Sequence, residues 1–189
     1  MAPFDYLSVL ISIVTGLAIA NLLSGVVRVM HARHRTRLYW PSIVWTILLF
    51  IILVQHWWSE FSLRHQQAWT FGGFFGTLLI PVDLYLLTAL VLPHRDDDDE
   101  LDLRAWYFQN RRGFFILLVL LAPLSYIEEF LAHGVVHKPL LESALLVLMG
   151  LCLCIGIINK QSRVHIAITV LMTAMLLTYI GLLFTRLPT

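Results

Sequence analysis

The chain has 189 residues, of which 59% are hydrophobic and only 13% are charged. A soluble domain typically carries about 25% charged residues, so this composition excludes a water-soluble globule and favours an integral membrane protein. The formal net charge of +1 gives no support for nucleic-acid binding.

Six apolar runs are each long enough, at roughly 18 to 20 residues, to cross a bilayer. They predict an all-α helical bundle in one transmembrane domain that covers residues 1–189. The predicted spans are about 4–29, 40–61, 70–92, 114–132, 141–158 and 164–185. Asp5 stands where a signal peptide would be positive, which favours a first span that is retained.

The first span carries a ladder of small residues at a spacing of four: Ser8, Ser12, Gly16, Ala20 and Ser24. Residues four apart lie on one face of a helix, and small side chains let membrane helices approach closely. The ladder therefore predicts a helix-packing face, either inside the bundle or between two copies of the chain.

The third span carries the second small-residue motif, Gly72-x-x-x-Gly76, which we expect to pack against the ladder. Pro81 follows in the same span and predicts a kink, because proline removes a helical hydrogen bond.

Lys and Arg residues are distributed unevenly between the two sides of the predicted bundle. Ten of the thirteen fall on one side: Arg28, Arg33, Arg35, Arg37, Arg95, Arg104, Arg111, Arg112, Lys160 and Arg163. Positive loops stay in the cytoplasm, so both termini are predicted to lie outside. We expect the chain in a bacterial inner membrane.

The longest loop, 93–113, belongs to the predicted cytoplasmic side. Its acidic run, 96–100, is expected to be a solvated helix cap, with a divalent cation or a basic partner as the alternative. The segment 101–112 places Leu103, Trp106 and Tyr107 on one side, which predicts an interfacial helix on the cytoplasmic leaflet.

Asp83 falls near the bilayer midplane, two residues after Pro81. An ionisable residue inside a membrane is costly and is a functional candidate for that reason. Asp83 is predicted to line an ion, proton or solute pathway, with Asn21 of the first span as its partner. The alternative is a structural hydrogen bond between helices.

The predicted outer side holds two carboxylate–imidazole pairs, His56 with Glu60 and Glu129 with His133. The partners of each pair are four residues apart and share a helix face. The pairs predict either a zinc or iron site or, with Glu128, a proton or solute vestibule. Ordinary polarity at the membrane interface is the third interpretation.

The string Glu128-Glu129-Phe130-Leu131-Ala132-His133-Gly134 resembles the EExxxR segment of the glutamic intramembrane proteases of the CAAX-processing type. The resemblance covers seven residues, with His133 at the arginine position. It implies that Glu128 activates water for peptide hydrolysis. The FxxxH motif of that family occurs here only at 61–65, before the string.

Other enzyme signatures, including a phosphate loop, a nucleophile elbow and HExxH, do not occur in the sequence. The leading prediction is passage or sensing of a small ion or solute without a cofactor, and coupling to protons through Asp83 is one form of this prediction. A metal-binding protein or metalloenzyme, a non-catalytic partner subunit and a protease-like hydrolase are the alternatives. The bilayer is the expected partner, with a homo-oligomer or another membrane protein as a further one.

Overall fold

A computed structural model of the chain describes residues 3–65, 69–93, 101–136 and 139–183. In these residues the protein is a bundle of six helices, each long and apolar enough to cross a membrane. The helices are α1 (Pro3–His31), α2 (Trp40–Glu60), α3 (Phe71–Val91), α4 (Leu103–His133), α5 (Leu140–Ile158) and α6 (Ser162–Leu183). Each predicted span therefore corresponds to one helix, which confirms an all-α bundle of six helices that are long and apolar enough to span a membrane.

Consecutive helices run in opposite directions. A Cβ atom at Gly76 of α3 would meet Leu131 of α4, and one at Gly113 of α4 would meet Leu90 of α3. These contacts pair the start of α3 with the end of α4. In contrast, α1 and α3 are parallel. The Asn21 amide donates to the Thr88 hydroxyl at 3.0 Å, and four residues further along both segments a Cβ at Gly25 would meet Leu92.

The bundle therefore has two distinct ends. The arginine-rich end holds the three linkers after α1, α3 and α5. There the Tyr39 and Ser162 hydroxyls, which belong to the beginnings of α2 and α6, lie 3.2 Å apart. The termini end holds the start of α1, the end of α6 and the linkers after α2 and α4. At the arginine-rich end, strand β1 (Thr36–Arg37) pairs in parallel with β2 (Leu101–Asp102).

The predicted separate interfacial helix over 101–112 is wrong, because residues 103–112 are the first part of the continuous helix α4 and residues 101–102 form β2. Asp102 caps the helix by accepting from the backbone N–H groups of Arg104 and Ala105 at 2.8 and 3.0 Å. The buried residues Leu103, Tyr107 and Arg111 form one stripe that continues into the span. Gly113 does not interrupt the helix, since one glycine costs only about 1 kcal/mol in a helix interior.

The predicted packing of the small-residue ladder against α3 is also wrong within the chain. Ser12, Gly16, Ala20 and Ser24 are exposed, and no described atom beyond the local helix lies within 4 Å of a Cβ built on Gly16. Each step of four residues turns a helix by about 400°, so the ladder drifts by about 40° per step around α1.

The face of α1 that packs instead follows a mean spacing of 3.5 residues, which matches the helical repeat. Its buried members are Ile11, Thr15, Ala18, Leu22 and Gly25.

On α3 the packing face is shifted by one residue from the predicted motif. Gly72 is exposed, whereas a Cβ at Gly73 would lie 3.1 Å from the Leu131 carbonyl oxygen and one at Gly76 2.7 Å from Leu131 Cδ1. The small residues of α3 thus bring α4 close, instead of α1. α3 remains helical through Pro81.

Candidate functional site

A cavity of about 410 Å³ lies inside the bundle, between α2, α3, α4, α5 and α6. We call it the chamber. Its lining changes with depth from polar to apolar. The polar rim, at the termini end, comprises Gln55, His56, Ser59, Glu60, Ser125, Glu128, Glu129, Glu142 and Tyr179. The apolar floor, towards the middle of the bundle, comprises Trp45, Leu48, Ile52, Leu84, Leu118, Leu121, Leu153, Met172 and Leu176.

Two carboxyl groups meet at the rim. Glu60 ends α2 and Glu128 lies in the last turns of α4, and their carboxyl groups are close enough to interact. Glu60 is only 8% exposed and His56, one turn earlier, only 6%. His56 Nε2 lies 3.4 Å from Glu60 Oε1. The rim therefore concentrates acidic groups where little water reaches them.

Glu142 and Tyr179 form the opposite side of the rim. Glu142 lies in the first turn of α5, and its Oε1 accepts from the Tyr179 hydroxyl of α6 at 3.2 Å. Glu129 follows Glu128 on α4 and also lines the chamber. Four carboxyl groups from three helices thus surround the polar part of one cavity.

Aromatic rings close the chamber at its floor. The Trp45 ring is nearly perpendicular to those of Phe114 and Phe115, with centroids 5.4 and 5.7 Å away. Phe115 is fully buried, and α5 passes close to it because Gly156 has no side chain there. The floor is therefore a tightly packed joint between α2, α4 and α5.

A buried polar cluster lies beyond the floor, on the side of the arginine-rich end. His165 is fully buried and makes hydrogen bonds of 3.0 Å to the Tyr107 hydroxyl and to the Asn159 carbonyl. A carbonyl only accepts, so Nε2 carries the proton, and Nδ1 of the neutral ring accepts from Tyr107. Arg111 Nε donates to the same carbonyl at 3.3 Å. The cluster ties the beginnings of α4 and α6 to the end of α5.

Four residues of the predicted pathway occur together at the rim: His56, Glu60, Glu128 and Glu129. Asp83 and Asn21 are not in the chamber wall. Asp83 is buried in α3, which contributes Ile80 and Leu84 to the lining.

The Asn21 amide donates to Thr88, more than one helical turn from Asp83 along α3. The structure thus separates the two parts of the predicted pathway, the outer mouth and the midplane carboxyl group.

The predicted zinc or iron site required His56, Glu60, Glu129 and His133. Among the side chains that the structure describes, no group of three or more His, Cys, Asp or Glu is arranged to hold a metal ion. The His133 side chain lies outside the described part, so the four-ligand set stays a prediction. The protease-like role of Glu128 also stays a prediction, since the His65 and His133 side chains are not described.

Several residues of the site were not predicted from the sequence as functional residues. Tyr179 and the residues of the apolar floor line the chamber because of how the helices pack, and the sequence alone does not show which helices face each other. His165 had a sequence signal, because it is an ionisable residue within the sixth apolar run. Tyr107 was assigned to an interfacial helix, and its buried contact with His165 follows from the continuous α4.

Comparison with known protein families, with curated proteins and with solved structures gave no match. The function is therefore inferred from the chamber and its chemistry.

Proposed function

We propose that this chain is an integral membrane protein that admits a small positively charged solute into the chamber from its termini end, for transport or sensing. The observation that carries the proposal is the acidic rim, in which four carboxyl groups surround one cavity. A rim of this charge attracts cations and repels anions.

The proximity of Glu60 to Glu128 strengthens the case for a cation. Two carboxylates close together repel each other, so a positive charge beside them is favourable. The limited exposure of Glu60 strengthens this effect, because water screens buried charges poorly. A cationic solute at the rim would interact favourably with both groups.

The closed floor favours a carrier or a sensor over an open channel. Trp45 and Phe115 are almost completely buried beneath the chamber, so the solute reaches a dead end in this conformation. Transport would then require the floor to open while the rim closes, as in alternating access.

The charge distribution supports an orientation for the bundle. Ten of the thirteen Lys and Arg residues belong to the arginine-rich end, which by the positive-inside rule faces the cytoplasm. The termini and the acidic rim then face outwards. We propose a bacterial inner membrane as the location, with the solute taken from the external side.

The test measures saturable binding, and uptake into proteoliposomes, of Na⁺, K⁺, ammonium and tetramethylammonium. We expect at least one cation to bind saturably, and we expect Glu60→Gln with Glu128→Gln to weaken binding at least tenfold. Asp5→Asn is the matched control, because Asp5 lies at the same end but outside the chamber lining. Equal binding by the double variant and the original protein would reject the proposal.

A further inference from the structure

The geometry points to a substrate class for the chamber: a monovalent organic cation with a compact apolar body, such as a short-chain alkylammonium ion. This inference rests on the proposed function, because it assumes that the acidic rim binds a cation. It adds that the apolar floor binds the rest of the same molecule.

The residues of α2 that line the chamber change from polar at the rim to apolar at the floor. Glu60 and His56 lie at the rim, and Ile52, Leu48 and Trp45 continue the same wall towards the floor. The seven residue-to-residue steps from Ile52 to Trp45 span about 10 Å along the helix axis. This part of α2 offers a bound molecule only apolar surface and the edge or face of an indole ring.

The other long helices repeat the division at matching depth. On α4 the rim residue Glu128 is followed inwards by Leu121 and Leu118, and on α6 Tyr179 is followed by Leu176 and Met172. The polar and apolar zones therefore form two layers on α2, α4 and α6, while α3 contributes only the apolar residues Ile80 and Leu84. A ligand that fills both layers must be charged at one end and apolar at the other.

The two layers discriminate between classes of small molecule. A metal ion surrounded by oxygen atoms gains nothing from the floor, because apolar side chains cannot replace its hydration shell. An anion is repelled at the rim, and an uncharged apolar molecule gains no attraction from the carboxyl groups. The volume of about 410 Å³ is within the range of pockets that enclose organic ligands.

Ordinary hydrophobic transfer predicts how affinity depends on the apolar body. Each methylene group that moves from water into the floor tightens binding about fourfold. Lengthening the chain of an alkyltrimethylammonium ion from butyl to hexyl adds two such groups. We expect at least a fivefold decrease in Kd, since some of the surface stays in contact with the rim.

The experiment is isothermal titration calorimetry of the detergent-purified full chain with tetramethylammonium, butyltrimethylammonium and hexyltrimethylammonium. Hexanol and hexanoate serve as uncharged and anionic probes, and protein-free micelles provide the blank. We expect Kd to fall along the ammonium series, with no saturable binding of hexanoate. A Kd independent of chain length, or hexanoate binding as tightly as hexyltrimethylammonium, would overturn the inference.

Two variants separate the roles of rim and floor. Glu128→Gln should weaken hexyltrimethylammonium at least tenfold, while Asp5→Asn should stay within twofold of the original protein. Leu153→Trp fills the floor, so it should remove the gain in affinity from butyl to hexyl. A chain-length gain that survives Leu153→Trp would place the alkyl group elsewhere and contradict the inference.

A third variant keeps the floor testable if Leu153→Trp does not fold. Met172→Ala enlarges the floor and should shift the best ligand from hexyltrimethylammonium to octyltrimethylammonium, whereas an unchanged preference would contradict the inference.

The two proposals can fail separately. Saturable binding of Na⁺ or K⁺ that depends on Glu60 and Glu128, without any chain-length effect, would reject the organic cation and leave the proposed function standing.

Discussion

The close approach between α4 and α5 at Gly156 gives a sharp stability prediction. A Cβ atom at Gly156 would lie 2.8 Å from both Cδ1 and Cε1 of Phe115, well inside van der Waals contact. The Phe115 ring cannot move away easily, because it is fully buried and lies against Trp45 and His165, with centroids 5.7 and 5.4 Å away. Gly156→Ala therefore forces the two helices apart at the floor of the chamber.

Overpacking of this kind typically costs about 1 to 3 kcal/mol. The substitution also gains helix propensity, since alanine is favoured over glycine by about 1 kcal/mol in a helix interior. Gly150→Ala on the same helix is the matched control, because a Cβ there meets nothing within 4 Å among the described atoms. The expected difference in unfolding free energy between the two variants is about 1 to 3 kcal/mol, with Gly156→Ala the less stable.

The assay is reversible SDS-induced unfolding in mixed micelles, followed by the fluorescence of the tryptophans. Adding Phe115→Leu to Gly156→Ala should recover part of the lost stability, because a smaller side chain vacates the space. If Gly156→Ala is as stable as Gly150→Ala, the packing at the floor is loose, and the reasoning is refuted.

Three further predictions concern hydrogen bonds and the buried carboxyl group of Asp83. Tyr107→Phe removes the bond to His165 and should lower the unfolding free energy by about 0.5 to 1.5 kcal/mol, measured in the same SDS titration; no change would mean that the bond contributes nothing. Asp102→Ala removes the cap of α4 and should lower the unfolding free energy by about 0.5 to 2 kcal/mol. A decrease of about a tenth of this size would argue against a helix that begins at Leu103. Asp83→Asn should leave Kd for the bound cation within twofold, because Asp83 is not in the chamber lining; a tenfold loss in calorimetry would connect it to the site.

Local hydrophobicity was sufficient to predict the six helices. In a bilayer the backbone of a long apolar run must satisfy its hydrogen bonds internally, which a helix allows. The linkers were predicted where polar or Pro-containing segments interrupt these runs. The beginning of α4 was missed because the polarity of 101–112 resembles an interfacial segment. The buried stripe through Tyr107 and Arg111 depends on neighbours that only the assembled bundle supplies.

The candidate site was predicted in part. The i, i+4 spacing of His56 and Glu60 correctly placed both side chains on one face of α2, and Glu128 and Glu129 line the same cavity. The sequence could not indicate which helices face each other, so it joined Asp83 to this group. It also identified the wrong face of α1, because a spacing of four drifts around a helix and the small residues alone do not specify a partner.

Thiol accessibility measures the central claim most directly, namely that the chamber admits cations from the termini end. The experiment places one cysteine at Ser125, in the rim, after Cys152 and Cys154 have been replaced by alanine. Val135→Cys, exposed at the same end in the α4–α5 linker, provides the reference. Intact cells are treated with a trimethylammonium-ethyl methanethiosulfonate and with its sulfonate analogue. At each cysteine we compare the rate of modification by the cationic reagent with the rate by the anionic reagent. We predict that this ratio is at least tenfold higher at the rim cysteine than at the reference cysteine. Equal relative rates, or no modification of the rim cysteine by either reagent, would contradict the account.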